Sequence, residues 1–174
     1  MAFVVEDGTG KADANSYVSV ADADAYAADH ELPSKWSSAT TAQKQKALRL
    51  ATQNLDARYN GRWLGTRNIR TQALDWPRFN VEDSDGYLVD FNVVPQAVKD
   101  ATVELALRQV QLASGTLLIP DQSSPGTIES ESVSIGEISE SITYVGGRGQ
   151  QTDYVLVDLL VRDLVSGASQ TLRG

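Results

Sequence analysis

The stretch QALDWPRFN, Gln72 to Asn80, brings together residue types that stack, stiffen the backbone and donate hydrogen bonds. Trp76 and Phe79 offer aromatic faces, while Pro77 restricts the chain between them. Arg78 adds five N–H donors. Three interpretations are open: a loop that folds back and buries the indole, an anchor in a subunit interface, or a platform that stacks on single-stranded DNA. The loop is favoured, and Trp76 and Arg78 are kept as candidate subunit-interface residues.

Patterns typical of catalysis or metal binding are missing from the chain. The one histidine, His30, falls at the predicted C-terminal end of a helix, where a partly charged imidazole interacts favourably with the helix dipole. The glycine-rich stretch around Gly10 is not a phosphate loop. That motif needs Gly five residues before Gly10 and Ser or Thr after Lys11, and this chain has neither. Residues 81–92 lack the acids that begin and end a calcium loop, so a solvated acidic turn is expected. There is no nucleophile elbow. We therefore expect no enzyme, no cofactor and no metal.

Composition points to one main domain. The chain has 174 residues, 41% of them hydrophobic, and no cysteine, which excludes disulfides and thiolate chemistry. No apolar run is long enough to cross a membrane, and the amino terminus reaches an acid too soon for a signal peptide. We expect a soluble protein that does not enter the secretory route and has no membrane partner.

The net charge of −8 is spread unevenly along the chain. Residues 41–78 hold eight Lys and Arg against two Asp and Glu, whereas residues 1–40 hold two against seven. Because nucleic-acid affinity grows with the number of phosphates neutralised, this chain should bind nucleic acid poorly overall. We expect the basic segment to pair with acidic faces of its own fold or of a neighbouring copy.

Four helices are predicted from apolar spacing and end signals. The first follows Ser19 as N-cap. The second runs from about Thr41 to Tyr59, the third from Pro95 in its first turn to a stop at Gly115, and the fourth from Thr152 to Gly167. The fourth is apolar around most of its circumference, which indicates contacts on two sides. Its leucines are therefore expected to divide between the bundle and a partner: Leu156, Leu160 and Leu164.

The pattern changes between the third and fourth helices. Residues 114–130 are rich in Ser, Pro and Gly, as exposed connections are. Local alternation then predicts two short strands, a hairpin or arm at about 130–145. The tail, residues 168–174, has too few apolar residues to pack and should be extended. The expected fold is a single, mainly α domain, a bundle of about four helices with core residues at about 15–115 and 152–167.

Four blocks of sequence resemble one known family. VEDGTGKADANSYVSVADADAY, QALDWPR, VPQAVKDATVELAL and the terminal LRG together resemble the head-tail connectors, or adaptors, of tailed bacteriophages. Some members of that family are labelled DnaT-like single-stranded DNA-binding proteins. The resemblance implies a mainly helical protein that forms a ring of about twelve copies beneath the portal protein. Such a ring extends the DNA channel and receives the tail or a stopper protein.

The resemblance also implies partners and a location. The protein would sit in the neck of the virion, with duplex DNA passing through the ring without sequence-specific binding, and an acidic chain suits a wall that should not grip phosphates. The portal contact would lie in the tail, at Leu172, Arg173 and Gly174. A single-stranded DNA-binding replication protein remains the alternative function.

Overall fold

A computed structural model describes residues 2–30, 34–112, 130–135, 138–143 and 154–166. The mainly helical class expected from the sequence is confirmed. In chain order the elements are α1 (Val20–Asp29), α2 (Ser34–Ser38), α3 (Thr41–Tyr59), β1 (Thr66–Arg67), β2 (Arg78–Phe79), α4 (Gln96–Gln111), β3 (Ser130–Ile135), β4 (Ile138–Thr143), α5 (Val155–Val161) and a 3-10 turn, Arg162–Leu164. The chain divides into two compact units, residues 1–118 with 154–174, and residues 119–153.

Helix α1 is capped by hydrogen bonds at both ends. The Ser19 hydroxyl accepts a hydrogen bond from the Asp22 N–H at 3.1 Å, which confirms the predicted N-cap. His30 is the C-cap residue, and its backbone N–H donates to the Tyr26 carbonyl at 3.2 Å. Its ring stacks on the Tyr26 ring with centroids 4.1 Å apart. The predicted place of His30 at a helix end is therefore confirmed.

Helix α3 has the bounds that its periodicity predicts. Thr40 and Gln43 form a reciprocal capping box at its start. The apolar residues spaced three and four apart all turn inward and are buried: Leu48, Ala51, Leu55 and Tyr59. Two basic residues of the basic segment pair with acids of the same chain, Lys44 with Asp24 and Arg58 with Asp158, each at 2.9 Å.

Helix α4 differs from the prediction at both ends. Pro95 is the N-cap residue rather than a member of the first turn, and the helix begins at Gln96. At the other end Leu112 is the C-cap residue and is exposed, so the helix ends before the predicted stop. Its ψ of 155° turns the chain that follows away from the helical path, so the helix ends here. The predicted stop, Gly115, lies outside the described residues.

Helix α5 is shorter than predicted. It begins at Val155 and gives way after Val161 to the 3-10 turn, and Val165 is extended. Here the backbone pairs with the chain after α3: the Leu64 N–H donates to the Leu164 carbonyl at 3.0 Å, and the Ser166 N–H donates to the Arg62 carbonyl at 2.7 Å. These bonds use backbone groups that a helix to Gly167 would need for itself. Thr152 and Gly167 lie outside the described residues.

In the first unit α4 is central and packs against α1, α2, α3 and α5. Its inward face is apolar, and the side chains that meet there come from each of the surrounding helices. Representative members of this core are Ala23, Trp36, Leu48, Leu55, Val98, Leu105 and Val157. In the described ranges no helix is both long enough and apolar enough to cross a bilayer.

The second unit contains the expected pair of strands. β3 and β4 are antiparallel, with Ser130 opposite Thr143 and Ile135 opposite Ile138. The alternation in the sequence predicted two short strands at this place, and their pairing is confirmed. The tail, residues 168–174, lies outside the described residues.

Candidate functional site

Trp76 lies completely inside the helical unit. Its ring meets the Trp63 ring nearly edge-on with centroids 5.7 Å apart, and the Trp63 ring lies 5.1 Å from that of Tyr59. The Trp76 backbone N–H donates to the Tyr17 hydroxyl at 3.1 Å. A cis peptide bond joins Trp76 to Pro77. This burial supports the loop interpretation, because no part of the indole is left to contact a second subunit or a base.

Arg78 is also turned inward. Its guanidinium donates to the backbone carbonyls of Leu64 at 2.6 Å, Gly65 at 2.8 Å and Asp75 at 3.2 Å. These bonds join the segment after α3 to the segment before β2. In this arrangement Arg78 acts as a backbone clamp and offers little to a neighbouring subunit. Both side chains are thus occupied within the chain, and the role of Trp76 and Arg78 in a subunit interface, suggested by the sequence, stays a prediction.

A half-buried acid, Asp56, holds the Trp-Pro-Arg segment to the helices. The Tyr17 hydroxyl donates to Asp56 Oδ1 at 2.6 Å, and the Asp75 N–H donates to Asp56 Oδ2 at 3.3 Å. Burial raises the pKa of Asp56 to about 7, although the hydrogen bond from Tyr17 works against that rise. Burial also raises the pKa of Tyr17 well above its usual value. One carboxyl that titrates near neutrality thus joins α3 to this segment.

The amino-terminal loop encloses its own carboxylate. Glu6 is buried, and Oε1 accepts from the N–H groups of Gly8 at 2.9 Å and Gly10 at 2.8 Å. Oε2 accepts from the Lys11 N–H at 2.8 Å. Both glycines have positive φ, +100° and +74°, which lets successive N–H groups converge. The loop that resembled a phosphate-binding sequence is filled by a side chain of the protein.

Helix α5 shows an apolar face to solvent. Val157 and Val161 are fully buried against the bundle. On the opposite side Val155 is 65% exposed, Leu156 43% and Leu159 53%. A helix with apolar residues on two faces needs two packing surfaces, and the described part of the chain supplies one of them. We call Val155, Leu156 and Leu159 the outer α5 face.

The three leucines predicted for an interface have different environments. Leu156 belongs to the outer α5 face, Leu160 is half-buried, and Leu164 is buried in the 3-10 turn. Leu156 is thus the best placed of the three to meet a partner, and Leu164 is occupied by the core. Their role in an interface stays a prediction. The proposed portal contact falls outside the described residues: Leu172, Arg173 and Gly174.

Residues 82–90 form an exposed acidic turn. Asp83 Oδ1 accepts from the N–H groups of Asp85 at 3.0 Å and Tyr87 at 2.8 Å, and Glu82 forms an antiparallel bridge with Leu88. The turn carries four acids and no Lys or Arg. Yet Tyr87 is 72% exposed and Leu88 66%. No group of three or more potential metal ligands occurs in the part of the chain that the structure describes.

A cleft of about 370 Å³ opens between α2, the first half of α3 and the end of α4. Its walls combine two lysines with aliphatic side chains: Lys35, Ala39, Lys46, Ala47, Leu50 and Val110. The Lys35 ammonium donates to the Gln111 carbonyl at 2.9 Å. Sequence reasoning missed this lysine cleft because its walls lie about 60 residues apart in the chain. The lysines could be noticed in the sequence, but not their shared location.

Comparison with known proteins gives one match. A sequence model of a family described as "Putative DnaT-like ssDNA binding protein" matches residues 1–174. No curated protein and no solved structure matches the chain. The family match spans the whole sequence, including both compact units and all the surfaces described above.

Proposed function

The chain belongs to the family described as putative DnaT-like ssDNA-binding proteins, and from this premise we propose that it is a head-completion adaptor of a tailed phage. In this role copies form a ring under the portal, extend the DNA channel and join head to tail. The observation that carries the proposal is the outer α5 face, because exposed apolar side chains on a short helix indicate a protein partner.

The aromatic side chains support the same reading. Stacking on bases needs exposed rings beside basic side chains. In this chain Trp36, Trp63 and Trp76 are all buried, and the Arg78 guanidinium is bound to carbonyl oxygens. The residues that would be most useful for holding DNA thus serve the fold.

Net charge fits a wall past which DNA slides. With a formal charge of −8, the chain as a whole repels phosphates rather than collecting them. We propose that the protein resides in the virion neck as a homo-oligomer, a ring of about twelve copies by resemblance. Its partners would be the portal protein, reached through Leu172, Arg173 and Gly174, and a stopper or tail-completion protein.

Single-stranded DNA binding is the second candidate, and the family description favours it. One structural feature supports it as well: Phe79 and Phe91 form an exposed aromatic pair with centroids 6.2 Å apart. Against it, Phe91 directly follows the acidic turn, whose charge would repel a phosphate backbone. The geometry therefore supports protein assembly better than DNA binding.

A head-completion assay tests the adaptor directly. Heads filled with DNA in an infection lacking this protein should acquire tails when the wild-type protein is added. We expect the double variant Leu156→Ser with Leu159→Ser to fold and to fail in this assay, because it removes the apolar contact. Arg162→Ser, an exposed change just after α5, is the matched control and should complete heads normally. Normal completion by the double variant would remove the outer α5 face from the proposal.

Fluorescence anisotropy with a labelled single strand tests the second candidate. An adaptor should give no micromolar binding, and none that weakens steeply between about 50 and 200 mM salt. If binding does occur with that salt dependence, and Phe79→Ala with Phe91→Ala abolishes it, the protein is a single-stranded DNA-binding protein and the adaptor proposal fails. Deleting residues 170–174 provides an independent test, since it should block head completion while leaving the melting temperature nearly unchanged.

A further inference from the structure

We propose that the lysine cleft of one copy receives the acidic turn of a second copy, with Tyr87 and Leu88 entering the cleft. This inference deepens the proposed function and rests on it, because it names the surfaces by which copies of the chain would join. The two surfaces are complementary in both charge and apolar character. Neither has a counterpart within its own molecule among the described residues.

The cleft supplies the basic half of the contact. No ion pair joins Lys35 or Lys46 to a carboxylate in the described ranges. Between these ammonium groups the walls are aliphatic, formed by Ala47, Leu50 and Val110. A matching occupant must therefore bring an apolar or aromatic side chain flanked by carboxylates. A bare phosphate would leave the aliphatic walls in water.

The acidic turn has that combination. Tyr87 and Leu88 stand out from a backbone that carries Glu82 and Asp85 beside them. The turn is also held in shape before binding, because the Asp83 side chain accepts two backbone N–H bonds and the Asp83 N–H donates to the Tyr87 carbonyl at 2.9 Å. A turn that is ordered before binding loses less conformational entropy when it docks. Tyrosine is among the residue types that carry most interface energy.

The two surfaces lie at opposite ends of the α3 and α4 pair. The cleft joins Gln43 to Leu50, in the first half of α3, with the end of α4, so the helices run antiparallel. The turn lies at the other end: it precedes α4, and Val81 at its base packs beside Gly65, just after α3. Because α4 has 16 residues, about 24 Å separates its ends. A turn therefore cannot fill the cleft of its own molecule.

Two different patches at opposite ends make a head-to-tail contact. Such a contact leaves one cleft and one turn free after each addition, so it builds a closed ring when the rotation allows. The lysine cleft and the acidic turn would then repeat once at every boundary between neighbours. The two opposite charges would also set the direction of assembly, since cleft against cleft and turn against turn would bring like charges together.

Self-association of the full chain tests the inference. Sedimentation velocity over a concentration series should show wild-type oligomers. The cleft variant, Lys35→Glu with Lys46→Glu, and the turn variant, Tyr87→Ser with Leu88→Ser, should each weaken association about 30-fold or more. Arg70→Glu with Lys99→Glu changes the net charge as much as the cleft variant does and should associate like wild type. All these positions are at least partly exposed, so unchanged melting temperatures should verify folding.

A mixing experiment gives the most specific result. Cleft and turn variants that are each monomeric should form a dimer when mixed, and nothing larger, because the mixture has one intact pair of surfaces. In addition, Glu82→Lys with Asp85→Lys should restore association with the cleft variant by reversing both charges. The inference is overturned if the mixture stays monomeric, if either variant associates like wild type, or if the wild type is monomeric up to about 1 mM.

These outcomes are separable from the fate of the adaptor proposal. A protein whose cleft and turn variants still complete heads retains the proposed function and loses this interface. A protein that assembles head to tail but binds single strands with steep salt dependence keeps the interface and loses the adaptor role.

Discussion

The long connection between α3 and α4 has two consecutive parts in which similar residues point in opposite directions, inward in the first part and outward in the second. In residues 63–79 the tryptophans and Arg78 point inward and are buried. In residues 82–91 Tyr87, Leu88 and Phe91 point outward. Residue type alone does not separate the two parts. The difference lies in what the neighbouring backbone offers, and it divides the connection into a part that holds the fold and a part that is available to partners.

In the inward part the polar side chains of Arg78 and Gln72 find partners inside, whereas the indole nitrogens of Trp63 and Trp76 are buried without a hydrogen-bond partner among the described residues. The Arg78 guanidinium is satisfied by carbonyls, and the Gln72 side-chain amide donates to the carbonyls of Leu74 at 2.8 Å and Pro77 at 3.0 Å. In the outward part Asp83 uses its hydrogen bonds to close the turn. That closure fixes the backbone without covering the side chains of Tyr87 and Leu88. The lesson is that a turn can be ordered and still leave apolar groups exposed.

The largest expected effect comes from removing the buried indole. Trp76→Ala should lower the free energy of unfolding by about 3–5 kcal/mol, since it opens a cavity beside Trp63. Urea denaturation followed by circular dichroism measures the change. Phe79→Ala, three residues further on and exposed, is the control and should cost less than about 1 kcal/mol. Similar costs for the two variants would show that the buried Trp76 ring contributes no more to stability than the exposed Phe79 ring.

Arg78→Met should give the next largest loss of stability. It keeps the apolar stem but removes the donor for the partly buried carbonyl groups of Leu64 and Gly65, so we expect a loss of about 2–3 kcal/mol in the free energy of unfolding. Arg70→Met changes an exposed arginine in the same way and should be nearly neutral. A neutral Arg78→Met would mean that water or other groups replace the clamp, and thermal denaturation of both variants decides the matter.

Helix α5 allows a buried and an exposed position to be compared with the same substitution, Val to Ala. Val157→Ala removes buried methyl groups and should cost about 2 kcal/mol of unfolding free energy. Val155→Ala, two positions earlier and largely exposed, should change it by less than about 0.5 kcal/mol. Parallel denaturant titrations of the purified proteins measure both. If Val155→Ala were the costlier change, the outer α5 face would be packed within the chain in solution.

A further expected effect is a dependence of the unfolding free energy on pH. A folded-state pKa of about 7 for Asp56, against 3.8 for an ordinary aspartate, means that the folded state holds this proton more tightly. The stability contributed by Asp56 is therefore present at acidic pH and is lost as the pH rises through about 7. The slope should reach about 1.4 kcal/mol per pH unit between pH 4 and 7.

Comparison with Asp56→Asn isolates this slope from other titrating groups. The unfolding free energy of the wild type, minus that of the variant, should fall steadily as the pH rises from 4 to 7. A difference for Asp56→Asn that does not change with pH would show that the Asp56 carboxyl is charged throughout this range.

Sequence patterns predicted the elements that depend on local contacts. The bounds of α3 follow from apolar residues on one side of a helix, and Ser19 and His30 follow from the needs of helix ends. The length of α5 could not be predicted in this way. Its end depends on pairing between Trp63 and Val165, about 100 residues apart, and periodicity carries no information about that contact.

The candidate surfaces were predicted less well than the fold. Leu156, Leu160 and Leu164 were predicted to divide between the bundle and a partner, because an all-round apolar helix has more faces than one bundle can cover. Periodicity did not say which of the three faces away from the core, and in the structure Leu156 is the exposed one. Trp76 and Arg78 were retained for an interface on residue type, and the structure buries both. The lysine cleft had no local signal, since it exists only where α3 meets α4.

The amino-terminal loop that encloses Glu6 affects which anions the protein can bind. Its converging N–H groups form the kind of receptor that in other proteins holds a phosphate, but here the ligand is covalently attached and always present. An external phosphate would have to displace a carboxylate that its own side chain tethers to the loop, so the effective concentration of that carboxylate does not depend on the solution. The loop is thereby self-inhibited as an anion receptor.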